Sequence, residues 1–401
     1  MILQKIKNYY HLIQAFTAAV FFNFPSRKLT VIGVTGTDGK TTTVQMIYEI
    51  LKTVDLKASM ISSVSAQIGP KIFDTGFHVT TPSPWQVQKF LRKAVDLGSQ
   101  YFVQEATSHG LDQNRLAFVD FKVAVVTNIT REHLDYHKTW ESYAQAKAKL
   151  FKNVDYSILN VDDQSFNYLK SKVDGKIITY SLKSTADFDF KKFPLRLKLI
   201  GDYNLANGLA AAACASALGF NKSKTTKLLN NFQGILGRME EIYLGQDFKV
   251  FIDFAHTPNA LEQALVALNS KLKTKNSKLI CVFGAAGERD KSKRPQMGKV
   301  ASEISDIVII TAEDPRSEKV EEISKQIIRG VKGKKLKKNL FVIVDRKKAI
   351  KFAINLAQKG DLVAIFGKGH EKSMTFGKKE IPWDEFAIVR QAIAERLKNE
   401  K

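Results

Sequence analysis

An α/β fold built on parallel sheets is what this sequence predicts, and three observations predict it. Short β-branched or aromatic runs alternate with helical patterns, as in LTVIGV then TTVQMIYEILKTV, FKVAVVTNI then WESYAQAKAKLF, and KVFIDFA then PNALEQALVAL. Polar, glycine and histidine residues gather just after the apolar runs, at the strand ends where parallel sheets bind ligands. No internal repeat or low-complexity tract interrupts the alternation, so helices should cover both faces of each sheet.

The length allows two domains, or three. With 401 residues, 44% hydrophobic and 25% charged, the chain buries a large core and reads as globular. The stretch GDYNLANGLAAAACASALG opens a small-residue helix from a glycine turn, and NFQGILGRMEEI after it carries two glycines. The boundary is placed there, near Gly234. Residues 1–29 read as an amphipathic helix and linker, 30–234 as a nucleotide-binding central domain, and 235–401 as a C-terminal domain. A ligand site in the cleft between the domains is the natural expectation.

Charge and cysteine usage narrow the classes. The formal charge is +22, yet the lysines are spread along the chain, and the one dense cluster, VKGKKLKKN from Val331 to Asn339, reads as a solvated loop. A basic balance suits nucleic acid, an anionic membrane face or an acidic small substrate. Nucleic acid is set aside, because no zinc finger or RNP aromatic pair accompanies the charge. Cys214 and Cys281 lack metal spacing and read as core residues in a reducing compartment, which predicts a cytoplasmic protein. The apolar stretch IQAFTAAVFFNF is too short to span a bilayer. It reads as a helix packed on the domain; a weak peripheral membrane contact through Lys5, Lys7 and the aromatic run is the alternative. A monomer is expected.

Taken in chain order, the first chemical signal is TGTDGKTTT, Thr35 to Thr43, directly after a buried strand. A strand feeding a glycine turn and then a helix offers a row of backbone N–H groups to phosphate. Gly36, Gly39, Lys40 and Thr41 match the second half of the phosphate-loop pattern, with Lys40 placed for terminal phosphates and the Thr41 hydroxyl for magnesium. The first glycine of the full pattern would fall at Val34. Glu105 ends the run YFVQ, where its carboxylate suits a second magnesium contact; capping a helix is the alternative. His133 in TREHLDYH suits a metal or a helix cap equally. In WESYAQAKAKLF, Trp140, Tyr143, Lys147 and Leu150 share one helical stripe, so Lys147 points with apolar side chains. A buried ammonium must lose its proton, find a carboxylate, be converted to an anion, or snorkel to the surface, the last being favoured on this pattern alone. Further on, VFGAAGERDKSKRP supplies backbone N–H groups beside Arg289. TAEDPRSE sets Arg316 after a rigid turn, where its fork suits a carboxylate.

In order, TGTDGKTT, TTPSP, EATSHGLDQNRL, TNITREHLDYH, YAQAKAKLF, GDYNLANGLAAAA, GRME, DFAHTPNAL, GAAGERDKSKRP, EDPRSE and GKGHE resemble the motifs of the Mur ligases. The resemblance runs from about Val31 to the C-terminus and is closest to the branch that adds the third residue of the peptidoglycan stem peptide. It implies a phosphate-loop NTPase-like central domain with a parallel sheet, and a Rossmann-like C-terminal domain that binds the incoming amino acid. It also implies that ATP phosphorylates the carboxylate of a UDP-muramoyl dipeptide, and that an amino acid's amine then attacks the acyl phosphate. Thr37, Asp38, Gly39, Lys40, Thr41 and Thr42 would hold ATP, with Thr41 and Glu105 on a first Mg2+ and His133 on a second. Lys147 aligns with a lysine that this family carbamylates, which turns an ammonium into a carboxylate-like metal ligand. Asn204 and Asn207 match the adenine-side motif, Arg238 a phosphate contact and Asp253 a ribose ligand. Thr80, Thr81, Ser108, Gln113 and Arg115 would grip the muramoyl peptide. Arg289, Glu313, Asp314, Arg316, Gly367 and Glu371 would line the amino-acid pocket.

Two departures from the family pattern stand out. Family members usually carry about a hundred residues before the phosphate loop, a domain-sized segment that holds the UDP end; here some thirty precede it, which leaves the grip on UDP unassigned. The usual Asp-Asn-Pro-Arg reads Glu313-Asp314-Pro315-Arg316. Arg316 favours an amino acid with a distal carboxylate such as meso-diaminopimelate, whereas Asp314 in place of asparagine keeps lysine open. A folate polyglutamate ligase is the alternative within the architecture, against which SHGLDQNR and DPR argue. A phosphate-loop NTPase acting as a switch or nucleic-acid motor is the alternative from another class.

Overall fold

The computed structural model describes residues 2–52, 57–73, 81–272, 274 and 276–400. They fall into two compact units. The first holds the chain up to Lys198 and Asp202–Gln233, and the second holds Leu199–Gly201 and Gly234 onward.

The first unit is a sheet of nine strands: β1 (Thr30–Thr35), β2 (Ala58–Ile61), β3 (Ala66–Ile68), β4 (Lys71–Phe73), β5 (Tyr101–Glu105), β6 (Phe121–Val126), β7 (Tyr156–Asn160), β8 (Lys176–Ser181) and β9 (Phe188–Asp189). Their spatial order is β4-β3-β2-β5-β1-β6-β7-β8-β9. From β2 to β9 every pairing is parallel, and only the β3 and β4 edge runs antiparallel. A strand in the middle of such a sheet is covered on both faces, which is why β1 reads as an unbroken apolar run and buries Val31, Ile32 and Val34 fully. The helix Lys40–Lys52 follows β1 and buries Val44, Ile47, Ile50 and Leu51. It packs on the helix Asp202–Ala217, whose run of buried alanines, Ala210 to Ala213, lets two helix backbones approach closely. The N-terminal helix Ile2–Phe21 lies in this unit and packs on the helix Pro84–Asp96.

The second unit has six sheet strands: β10 (Glu240–Glu241), β11 (Lys249–Asp253), β12 (Leu279–Phe283), β13 (Ile307–Ile310), β14 (Leu340–Val342) and β15 (Leu362–Phe366). The order is β10-β11-β15-β12-β13-β14, parallel except for β10. A separate hairpin pairs β16 (Ser373–Phe376) with β17 (Lys379–Pro382). Every residue of β12 and β15 is buried.

One buried ion pair ties the strand ends of this unit together. Arg346 starts the helix Arg346–Leu356 and pairs with Glu385 where neither side chain reaches solvent. Its Nη1 donates to the Ala312 carbonyl at 3.0 Å and its Nη2 to the Phe366 carbonyl at 2.8 Å, the residues just before Glu313 and Gly367. Trp383 Nε1 gives Glu385 a further hydrogen bond at 2.7 Å.

The alternation that predicts β1, β5, β6, β7 and β11 to β15 matches strands in the structure. Strands β2, β3, β4, β8, β9, β10 and the β16–β17 hairpin were not anticipated. Cys214 and Cys281 are buried free thiols, and most of the 331–339 basic run is solvated. Among the described residues, no helix is long and apolar enough to cross a membrane.

Replacing Arg346 with Met should cost about 3–5 kcal/mol in denaturant unfolding, because Glu385 is left as an uncompensated buried charge. The double variant Arg346→Met/Glu385→Leu should recover part of that loss. A single variant as stable as the parent would show that the pair does not bear on stability.

Candidate functional site

The glycine loop after β1 is pinned from the adjacent strand β6. Thr37 N donates to the Asn128 carbonyl at 2.7 Å and Asp38 N to Asn128 Oδ1 at 3.0 Å. The Thr127 hydroxyl donates to the Asp38 carbonyl at 2.6 Å, and Asn128 Nδ2 donates to the same oxygen at 3.1 Å. Gly39 has φ +82°, and a side chain there would strike Asn207, so glycine is required on two counts. Lys40 opens the following helix and folds its Nζ back onto the Thr37 carbonyl at 2.7 Å. Thr41 and Thr42 stand in the first turn of that helix, both buried.

Glu105 is the last residue of β5 and is 2% exposed. Its Oε2 accepts from the Thr41 hydroxyl at 3.0 Å and from Ser63 N at 2.9 Å, while Ser63 Oγ lies 2.8 Å from Thr41 Oγ1. A hydroxyl and a carboxylate thus meet at the mouth of the loop, a hard-oxygen pair of the kind magnesium takes.

Lys147 does not snorkel. It is 1% exposed, its Nζ donates to the Gly36 carbonyl at 2.6 Å, and it stands 4.5 Å from the centre of the Tyr143 ring. Burial, joined by repulsion from Lys40, holds the amine well below the usual lysine range despite attraction from Asp38 and Glu105. The Tyr143 hydroxyl lies 3.1 Å from Thr37 Oγ1, so the same stripe also touches the loop.

His133 takes the left-handed backbone region (φ +57°) and packs its ring 4.7 Å from His109 and 6.2 Å from Tyr143. The neighbouring His137 is pushed down to about 4 by burial and by His109. Among the described residues, no three acidic, histidine or cysteine side chains form a ready metal group.

The remaining first-unit residues split into two groups. Asn207 Oδ1 accepts from the Thr43 hydroxyl at 3.4 Å and its Nδ2 donates to Asn204 Oδ1 at 3.4 Å, which brings the asparagine motif to the base of the loop. Thr81 Oγ1 lies 2.9 Å from Thr107 Oγ1, and its carbonyl accepts from Arg115 Nη1 at 3.0 Å. Ser108 opens the short helix Ser108–Asp112 that ends at Gln113. Gln113 Oε1 and Arg115 Nε are buried without a hydrogen-bond partner, as expected of groups that meet a polar ligand. Thr80 lies outside the described residues.

In the second unit Asp253 ends β11. Its Oδ2 accepts from Met239 N at 2.8 Å and its Oδ1 from Ala255 N at 2.7 Å, and burial raises its carboxyl. It therefore fastens the GRM turn to the sheet, a structural task the sequence did not suggest. Arg238 in that turn sets its guanidinium 4.4 Å over the Phe254 ring.

The amino-acid candidates converge at the ends of the neighbouring strands β13, β12 and β15. Gly287 N donates to the Asp314 carbonyl at 2.8 Å, Arg316 Nη1 to the Gly287 carbonyl at 3.2 Å, and Arg316 N to the Thr375 carbonyl at 3.0 Å. Arg316 is held at φ +51°. Lys368, fully buried, donates to Asp314 Oδ1 at 2.9 Å and to Glu371 Oε2 at 2.5 Å, and Asp314 also accepts from Thr375 N at 3.0 Å. Burial lowers this lysine, but the Glu371 and Asp314 carboxylates outweigh it and leave it raised. Asp314 is thus occupied by the protein's own cation. Glu313 faces Gly367; its Oε2 is buried with no hydrogen-bond partner, and burial pushes the carboxyl up to about 7. Arg289 is exposed beyond the turn, while the unforeseen Arg294, fully buried, holds the loop through the Ala286 carbonyl (2.9 Å) and Glu318 (2.8 Å).

Ser63 and Arg294 were not among the sequence candidates, and Asn128 and Lys368 stood at predicted strand ends without an assigned role. Asn128 follows an apolar run and was visible there; Ser63 follows β2, a strand the pattern did not reveal.

The chain is similar to known proteins. Residues 34–215 match the Mur ligase middle domain, and residues 237–369 match the Mur ligase glutamate ligase domain. A UDP-N-acetylmuramoyl-L-alanyl-D-glutamate--2,6-diaminopimelate ligase of Caldanaerobacter subterraneus subsp. tengcongensis is 38% identical over 400 residues, covering 95% of this chain and 81% of the relative. A UDP-N-acetylmuramyl-tripeptide synthetase of Borreliella burgdorferi is 39% identical over 409 residues, covering 95% and 80%. A solved structure of a UDP-N-acetylmuramoyl-L-alanyl-D-glutamate--2,6-diaminopimelate ligase superposes with a TM-score of 0.61 at 32% identity, over 92% of this chain and 79% of that one.

The raised Glu313 carboxyl makes a signed prediction. Between its ordinary 4.5 and about 7 the folded state binds more protons than the unfolded state, so this group's contribution is intact below 4.5 and lost as pH rises through 7. The loss is about 3 kcal/mol. Glu313→Gln should therefore gain on the parent by that order between pH 4.5 and 7.5 in denaturant unfolding. A gap independent of pH would show that Glu313 is solvated.

Proposed function

This chain belongs to the Mur ligase family, and from that premise we propose that it joins an amino acid, meso-diaminopimelate, to the free carboxyl of UDP-N-acetylmuramoyl-L-alanyl-D-glutamate in peptidoglycan synthesis, with cleavage of ATP. The observation that carries this reading is the meeting of Thr41 and Glu105 at 3.0 Å beside the Lys40 loop. A turn that only joined strand to helix would have no use for that pair.

The residues fit both ATP and Mg2+. The loop amides from Thr37 to Thr42 and the helix N-terminus suit polyphosphate, Asn204 and Asn207 lie at its base, and Thr41 with Glu105 offers oxygens to a hard cation. A bound Mg2+ would neutralise charge on the phosphate oxygens. Lys40 Nζ donates to the Thr37 carbonyl at 2.7 Å and is placed to exchange that bond for the transferring phosphoryl group. The acceptor carboxylate attacks the terminal phosphorus, the bond to ADP breaks, and an acyl phosphate forms. The incoming amine then attacks the acyl carbon, phosphate leaves, and the amine gives up its proton. Thr81, Ser108, Gln113 and Arg115 would hold the muramoyl peptide, with the orphaned Gln113 Oε1 and Arg115 Nε as polar contacts.

Lys147 fits carbamylation. Carbon dioxide combines with a neutral amine and not with an ammonium, and burial keeps this amine well below the usual lysine range. Nitrogen bonds to the carbon of CO2, one proton leaves to solvent, and the product is an anion that would serve with Glu105 and His133 around the metal. The choice of amino acid rests on Arg316 and Asp314. With Asp314 engaged by Lys368 and by Thr375 N, the guanidinium of Arg316 is the group left to read a distal carboxylate, which favours diaminopimelate over lysine.

A coupled phosphate assay over a panel of amino acids tests the proposal. Phosphate should appear only when ATP, the UDP-muramoyl dipeptide and diaminopimelate are all present, with a product heavier by one diaminopimelate less water. Turnover without acceptor would favour an NTPase switch, and equal turnover with lysine would remove the Arg316 argument. Lys147→Ala should fold normally and lose activity by on the order of 100-fold, with partial rescue by short carboxylic acids. Unchanged turnover in that variant would exclude the carbamate.

A further inference from the structure

The N-terminal helix Ile2–Phe21 is turned inside out. Its buried side chains are small, Ala15, Ala18 and Ala19, with Leu12 half-buried beside them, and Asn8 Nδ2 donates to Asp112 at 3.0 Å (carbonyl) and 3.2 Å (Oδ2). Its outward face carries Ile6, Tyr9, Tyr10, Ile13, Phe16 and Val20 at helical spacing, each between 49% and 65% exposed, with Phe21 at the end 71% exposed. A solvated helix shows the opposite pattern. The apolar stripe continues onto the body of the unit, where Phe16 stacks 5.3 Å from the exposed Phe118 and Phe21 stacks 5.6 Å from Trp85.

Charge identifies the occupant. No acidic residue precedes Asp38 in the chain, Lys7 is exposed on the helix itself and Arg27 and Lys28 in the turn that follows it, and the exposed Lys89 stands one helical turn beyond Trp85 on the same side. A second copy of this chain would bring two bodies of formal charge +22 together, whereas an anionic lipid surface attracts them. Tyr and Trp side chains, apolar with a polar tip, suit the depth at which a bilayer meets water. We infer that this helix lies flat in the surface of an anionic bilayer, its outer stripe inserted and its lysines against lipid phosphates. The protein is held at the membrane face without spanning it.

The test is co-sedimentation of the full chain with vesicles of mixed phosphatidylglycerol and phosphatidylcholine, and with vesicles of phosphatidylcholine alone. Binding is expected to the anionic vesicles, at least tenfold stronger than to the neutral ones and weakened by salt. Tyr9→Ser/Ile13→Ser/Phe16→Ser should lower that binding at least tenfold with an unchanged circular dichroism spectrum. Lys28→Glu/Lys89→Glu should weaken it severalfold while leaving the apolar stripe in place. Absence of binding to anionic vesicles, or a serine variant that binds like the parent, would overturn the inference. So would a dimer in sedimentation equilibrium that the serine variant dissolves while vesicles bind neither form.

Discussion

A lysine amine sealed from water, with the Gly36 carbonyl as its partner, is the constraint around which the first unit is organised. Burial and repulsion from Lys40 hold the amine well below the usual lysine range, against the attraction of Asp38 and Glu105. The same helical stripe brings Tyr143 to Thr37, and Thr37 in turn is held by Asn128. The phosphate loop is therefore shaped from outside, by β6 and by the helix Trp140–Ala148. Its glycines permit the shape, and its neighbours impose it.

The second unit solves a different problem, the placing of charges at the ends of parallel strands. Arg346 fastens the last carbonyls before Glu313 and Gly367, and Arg294 fastens the loop after β12. Each is a buried guanidinium whose planar fork meets a carboxylate and a main-chain oxygen at fixed angles. The polar residues at the strand tips consequently rest on cations below them.

The sequence made the parallel architecture legible because buried central strands are continuous apolar runs, as β1, β12 and β15 are. It hid β2, β8 and the β16–β17 hairpin, whose short segments alternate weakly or carry polar residues. The phosphate loop, Glu105 and the EDPR turn were readable from local spacing. The state of Lys147 was not: periodicity puts it on the apolar stripe, but only tertiary packing decides that its amine stays inside, where a surface lysine would have reached water. The role of Lys368 escaped notice for the related reason that nothing local marks a lysine as the hub of two carboxylates 54 and 3 residues away.

That hub limits how the pocket can change. Losing the carboxylate at Asp314 would strand a buried cation half-neutralised, and losing it at Glu371 would do the same from the other side. Variation at either place is therefore chained to the other and to Lys368 itself. Change at these strand ends thus proceeds by concerted exchanges across two loops, a slower evolutionary route than altering a rim residue one at a time.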